Sequence, residues 1–175
     1  MLNLIVYVDD LLMASTPGTK LKEDFIKGLG ERFAFTQQAP GDIDFLGMII
    51  EQRPSGDSYV HAKPYIEECV RRFLHGGVPA DKHLPKLCAK AATKRIVPDN
   101  DTHKRYQSVV GALLYLVTTF CPDVAYAVGM LTWATVWPTE ALCLRAERVL
   151  IHLHHTSDLG LTYTASASSA TNIGG

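Results

Sequence analysis

Long hydrophobic runs are missing from this chain. No apolar stretch reaches the roughly 18 residues that a bilayer-crossing helix needs. Disulfide or zinc-type spacing is missing too: the four cysteines, Cys69, Cys88, Cys121 and Cys143, include no close pair. Free thiols in a reducing compartment are therefore expected. No basic stretch precedes the apolar opening, and Asp9 and Asp10 interrupt it, which argues against a secretory leader. Pro17-Gly18-Thr19-Lys20 lacks the long glycine frame of a phosphate-cradling loop and reads as a turn. No internal repeat is visible. What remains is 175 residues, 47% hydrophobic and 20% charged. That excludes a largely disordered or collagen-like chain. It is enough for one domain or two small subdomains with a real core and no covalent staples.

Net charge is also scarce, at −1, but its distribution is uneven. Residues 1–60 hold 5 Lys/Arg against 9 Asp/Glu, residues 61–108 hold 10 against 5, and residues 109–175 hold 2 against 4. The basic middle third also contains His61, His75, His83 and His103. Such a segment between acidic flanks suits local phosphate contact, and equally suits a solvated loop of mixed charge.

The hydrophobic pattern divides the chain into a β-rich first third and a helical remainder, an α+β class, with the boundary near residues 58–63. Residues 2–8 and 11–14 read as two strands joined at Asp9-Asp10 into a hairpin. A helix is expected over 20–32, with Leu21, Phe25, Ile26 and Leu29 on one face. Residues 45–51 read as one strand, 53–57 as a turn, and 58–61 as the returning strand. A short helix is expected over 64–74, ended by Gly76-Gly77. Residues 76–102 read as a long basic connection. Val109, Val110, Leu113, Leu114 and Val117 then mark a helix. Pro122-Asp123 opens a second, continued by Val124, Val128 and Leu131. Pro138-Thr139-Glu140 opens a third, with Leu142, Ala146, Val149, Leu150 and Leu153 inward. Residues 164–175 read as a frayed tail.

The sharpest local feature is Tyr7-Val8-Asp9-Asp10. Tight hairpin loops favour glycine, asparagine or aspartate-glycine pairs, because positive φ is often required. Two adjacent carboxylates add mutual repulsion. A local rule broken without visible compensation marks a candidate functional site. A divalent cation would compensate, and hard oxygen ligands suit Mg²⁺, which commonly takes one or two protein carboxylates plus substrate phosphates. The alternative is a polar hairpin tip in water.

Tyr-Val-Asp-Asp between two apolar strands resembles the catalytic hairpin of reverse transcriptases of the Ty1/copia retrotransposon class. Phe45-Leu46-Gly47-Met48 resembles the FLG segment that follows it in that family. Residues 106–116 (YQSVVGALLYL) resemble its YRSLVGSLLYL helix, and residues 122–128 (PDVAYAV) its RPDIAYAV helix. Residues 146–150 and 156–161 resemble its ARVLRYLKGTxDLGL segment. The matches run in family order and span nearly the whole chain. Cys121 stands where the family pattern has arginine, and His155-Thr156 where it has a lysine-bearing turn.

The resemblance implies RNA-directed DNA polymerase chemistry with two metal ions, Mg²⁺ or Mn²⁺, and intracellular residence in cytoplasmic virus-like particles or the nucleus. Asp9 and Asp10 would be the paired palm aspartates and metal ligands, Asp9 foremost. Tyr7 and Val8 would lie beside the primer terminus. Phe45, Leu46, Gly47 and Met48 would hold the primer strand. Residues 1–60 would form the later part of a palm, residues 61–163 a thumb-like helical subdomain, and residues 164–175 the tail. Lys63, Arg71, Arg72, Lys104 and Arg105 would contact phosphates of an RNA/DNA template–primer duplex, with dNTP as the second substrate. The family's further catalytic aspartate and its fingers lie upstream of the hairpin, so this chain by itself is expected to be inactive. A non-catalytic nucleic-acid-binding module, or an inert retroelement remnant, is the other reading.

Other signals carry less. His152, His154 and His155 suit a helix end, where they complement the dipole. Trp133 and Trp137, spaced i, i+4, are expected on a helix, packed in the core or at its edge. Met13 and Met48 read as core fillers.

Overall fold

The computed structural model describes residues 1–16, 18, 20–38, 41–81, 83 and 99–164. Most of the expected basic connection, Cys88 and nearly all of the expected tail lie outside these residues. The described chain is mixed α+β, with two small antiparallel sheets and five helices. No described helix is long and apolar enough to cross a membrane.

The opening hairpin forms as the apolar pattern requires. Strand β1 (Leu2–Tyr7) pairs antiparallel with β2 (Asp10–Ser15), in register from Leu2↔Ser15 to Tyr7↔Asp10. Its two-residue loop is Val8-Asp9, not the expected Asp9-Asp10, and Asp10 begins β2. Helix α1 (Leu21–Gly30) follows, with Glu23 and Asp24 in its first turn, where the dipole favours acids. Phe25, Ile26 and Leu29 are only half-buried, and Leu21 is exposed. Among the described residues of the first 60, Phe45 alone is buried. A two-stranded sheet and one short helix supply too little apolar area for a core of their own.

The second sheet has strand order β3-β4-β5-β6, comprising β3 (Ile43–Phe45), β4 (Met48–Gln52), β5 (Ser58–His61) and β6 (Leu161–Tyr163). The single strand expected over 45–51 is instead a tight hairpin. Leu46 and Gly47 form its two-residue loop, at φ 56° and 76°, the double positive φ of a type I′ turn. Glycine in second place made the turn possible, and the apolar Leu46 disguised it as strand. The 53–57 turn and β5 form as expected, with Gly56 at φ 88°. Strand β6 carries no sequence signal of its own. It exists because its edge-strand partner β5 is available, through Val60↔Leu161 and Ser58↔Tyr163.

The core lies among the later helices. Helix α2 (Lys63–Phe73) buries Ile66 and Cys69. Helix α3 (Asn100–Thr119) starts inside the expected connection because Asp99 caps it, accepting the N–H groups of Asp101 and Thr102. It buries Tyr106, Val109, Val110, Leu113 and Leu116. Pro122–Val124 forms one 3₁₀ turn that leads into α4 (Ala125–Thr132). Helix α5 (Glu140–His155) buries Leu142, Ala146, Val149, Leu150 and Leu153. Tyr106 is fully enclosed, and its hydroxyl donates to the Leu131 carbonyl at 2.8 Å. Trp133 and Trp137 correct a sequence expectation. α4 ends at Thr132, both tryptophans lie in the turns after it, and Trp133 is 78% exposed. The i, i+4 spacing misleads because backbone turning, not continued helix, carries residues 133–137.

Candidate functional site

The β1–β2 loop is built under strain. Val8 has φ 53°, and the second loop residue, Asp9, does not share the positive sign. Positive φ at the first loop position alone is the type II′ pattern, normally filled by glycine. A β-branched residue there is a true outlier. Strain of that kind costs on the order of 1–3 kcal/mol and gathers at functional sites. Val8 is also 87% exposed. An apolar, β-branched side chain pushed into solvent on a disfavoured backbone contributes nothing evident to packing.

Asp9 and Asp10 are both exposed, and both line a cleft of about 650 Å³ between the hairpin, α1, the 33–38 segment and β3. Lys22, Gln38 and Asp44 line the same cleft. Sequence reasoning passed over Asp44, which is placed there by strand β3 and by Gln38. The Gln38 side-chain oxygen accepts the Asp44 N–H at 3.0 Å, and its amide donates to the Asp44 carbonyl. This bracing joins residues six apart through a loop of no regular period, so no spacing rule marks it in the sequence. The three carboxylates line one cleft without converging. Among the described residues, no group of three or more His, Cys, Asp or Glu side chains is gathered for a metal ion. Two exposed carboxylates at one turn are the kind of oxygen donors Mg²⁺ or Mn²⁺ takes when phosphates complete its shell.

Phe45 and Met48 face each other across the β3–β4 hairpin, with Leu46-Gly47 at its tip. Tyr7 is mostly exposed beside the first loop.

The five cationic candidates lie on α2 and the start of α3, away from the cleft that Asp9 and Asp10 line. Lys63 binds Asp158 at 2.7 Å, and that carboxylate raises the ammonium pKa. Arg71 grips Glu68 on its own helix through contacts of 2.9 and 2.6 Å. Arg105 bridges Glu140 at 3.1 Å and Glu147. The Arg72 guanidinium lies 5.0 Å from the Phe73 ring centre. Arg72 and Lys104 have no carboxylate partner among the described residues.

The chain is 29% identical over 177 residues to a putative transposon Ty5-1 protein of Saccharomyces cerevisiae, an alignment covering 97% of this chain and 54% of that protein. It is 30% identical over 138 residues to the retrovirus-related Pol polyprotein from transposon TNT 1-94 of Nicotiana tabacum, covering 74% of this chain and 10% of the polyprotein. The chain is related to retrotransposon proteins. It spans about half of the yeast relative and a small part of the tobacco one. A shorter match, 36% identical over 64 residues, is to secreted RxLR effector protein 161 of Plasmopara viticola, covering 37% of this chain and 45% of that protein. No family model matches the retroelement-related chain, and no solved structure matches it.

Proposed function

We propose that this retroelement-related chain is the part of a Ty1/copia-type reverse transcriptase that carries the catalytic hairpin: part of the palm, followed by a thumb-like helical unit. The observation that carries this reading is the strained, solvent-exposed turn at Val8-Asp9, with Asp9 and Asp10 lining an open cleft. Asp9 and Asp10 would hold Mg²⁺ or Mn²⁺. A metal bound there supplies the charge neutralisation that phosphoryl transfer between nucleotides requires. Tyr7 and Val8 would bound the primer terminus, and the Phe45–Met48 hairpin would position the primer strand. Arg72 and Lys104 are the cations best placed for duplex phosphates, since Lys63, Arg71 and Arg105 are held by carboxylates. The exposed apolar residues of β1 would be covered by further palm strands in the parent enzyme.

Two measurements test the reading. Mn²⁺ should broaden the NMR signals of residues 8–11 selectively, and Asp9→Asn with Asp10→Asn should abolish the effect. Wild-type signals indifferent to Mn²⁺ would refute the metal site. Primer extension by the purified chain with Mg²⁺ or Mn²⁺ should give no product, because only two carboxylates stand at the turn.

A second reading, a nucleic-acid-binding module without polymerase chemistry, is favoured by the absence of a three-ligand cluster among the described residues. Salt-sensitive binding to an RNA–DNA hybrid, unchanged by the two asparagine substitutions and without a Mn²⁺ effect, would select it.

A further inference from the structure

The Leu46-Gly47 turn is held from outside its own sheet. The Tyr115 hydroxyl, on α3, donates to the Leu46 carbonyl, a contact between residues 69 apart in sequence. The Tyr115 ring lies 4.9 Å from the ring of Tyr65, on α2, at an interplanar angle of 57°. The Tyr65 ring in turn covers Gly47, where an added β-carbon would meet Tyr65 Cδ2 at 3.4 Å. Phe120 backs Tyr115 from the end of α3, with ring centres 6.4 Å apart. Two helices thus converge on one two-residue turn.

That turn needs the help. Leu46 sits at φ 56°, a conformation that asparagine or glycine adopts at less cost. A hydrogen bond to its carbonyl and an aromatic cover over the following glycine stabilise the conformation against relaxation. Burial raises the Tyr115 phenol pKa, and the Tyr7 phenol raises it further. Tyr115 is therefore a protonated donor throughout the physiological range. Phe45, which flanks the clamped turn, lines the same cleft as Asp9 and Asp10, so the two turns border one space.

We infer that Tyr115 and Tyr65 form a clamp through which the helical unit sets the position of the Leu46-Gly47 turn relative to the Tyr7–Asp10 turn, which makes Tyr115 a positioning residue for the proposed site. The structural clamp stands independently; its catalytic meaning rests on the polymerase reading. A shift of α2 against α3 would move the primer-holding hairpin as one piece with the helices. The geometry of the two turns then depends on helices more than fifty residues downstream of the aspartates.

Amide hydrogen exchange on the full chain tests this, comparing wild type with Tyr115→Phe, which removes one hydroxyl and keeps the ring. The probes are Met48, which pairs with Phe45 across one turn, and Asp10, which pairs with Tyr7 across the other. Exchange at both should accelerate by about two- to tenfold, the size expected for one lost hydrogen bond. Amides of α5 should be unchanged. Acceleration at Met48 alone would reduce the clamp to a local brace and overturn the positioning role. No change at either would overturn the clamp. Should Tyr115→Phe not fold, Gly47→Ala strains the same turn from its other side and is read at the same amides. The Mn²⁺ experiment on wild type separates the two ideas: its failure removes the polymerase reading and leaves the exchange result to judge the clamp.

Discussion

Gly160 passes so close to Val60 that a β-carbon on it would lie 2.5 Å from the Val60 carbonyl oxygen and 2.7 Å from the Tyr59 ring. The Tyr59 hydroxyl also donates to the Asp158 carbonyl. This contact brings the chain after α5 back across β5, where it becomes β6. Gly160→Ala should destabilise the protein by about 1–3 kcal/mol, the usual range for overpacking. The clash is with backbone and a packed ring, neither of which yields easily. Urea unfolding measures it, and a midpoint equal to wild type would contradict the close approach.

Tyr106→Phe removes a buried hydroxyl and leaves the Leu131 carbonyl without that donor. A cost of about 0.5–1.5 kcal/mol is expected, because one buried hydrogen bond is lost while the Leu131 carbonyl keeps the Ala134 N–H as a donor. Chemical denaturation decides it; a change within error would mean that the hydroxyl adds nothing beyond the Ala134 N–H.

Leu131 and Trp133 are two residues apart and should behave oppositely. Leu131 is fully buried, so Leu131→Ala should cost about 2–5 kcal/mol through lost burial and a cavity. Trp133→Ser should stay within about 0.5 kcal/mol, as ordinary surface changes do. A large loss at Trp133 would show that its indole is packed in solution.

Acid should loosen the chain at two defined points. Hydrogen bonds from Thr102 hold the Asp99 carboxyl below its ordinary range, and Lys63 does the same for Asp158. A depressed folded-state value means that the stabilisation is complete above the unfolded value, near 3.8, and is lost as pH falls through the folded one. The start of α3 and the 158–160 turn should therefore open first as pH drops below about 4. The Lys63 side of the pair has the opposite sign. Its raised pKa means stabilisation present below the ordinary 10.5 and lost as pH rises through the folded value. Amide exchange at Thr102 and Leu161 against pH reads both limits, and Asp158→Asn should flatten the second.

Much of the helical unit was legible in the sequence. Val124, Val128, Leu131, Leu142, Ala146, Val149, Leu150 and Leu153 repeat at helical spacing, and all are buried. Periodicity reports burial faithfully where a helix packs one face on a core. The β-rich third was read less well. Leu46 looked like strand because it is apolar, and the positive φ that makes it a turn is invisible in residue type. Leu161 to Tyr163 is too short for any pattern and pairs only because folding delivers it to β5.

By itself the sequence determined which helical faces turn inward, where the Asp9-Asp10 pair stands, and that two apolar strands flank it. Those are consequences of local periodicity and side-chain chemistry. Tertiary structure alone decided that Val8 rather than Asp10 completes the tight turn, that Asp44 joins the aspartate pair around one cleft, and that Tyr115 holds Leu46. Each of these relations joins residues by backbone torsion or by contact across distant segments, and neither is encoded at any single position along the chain.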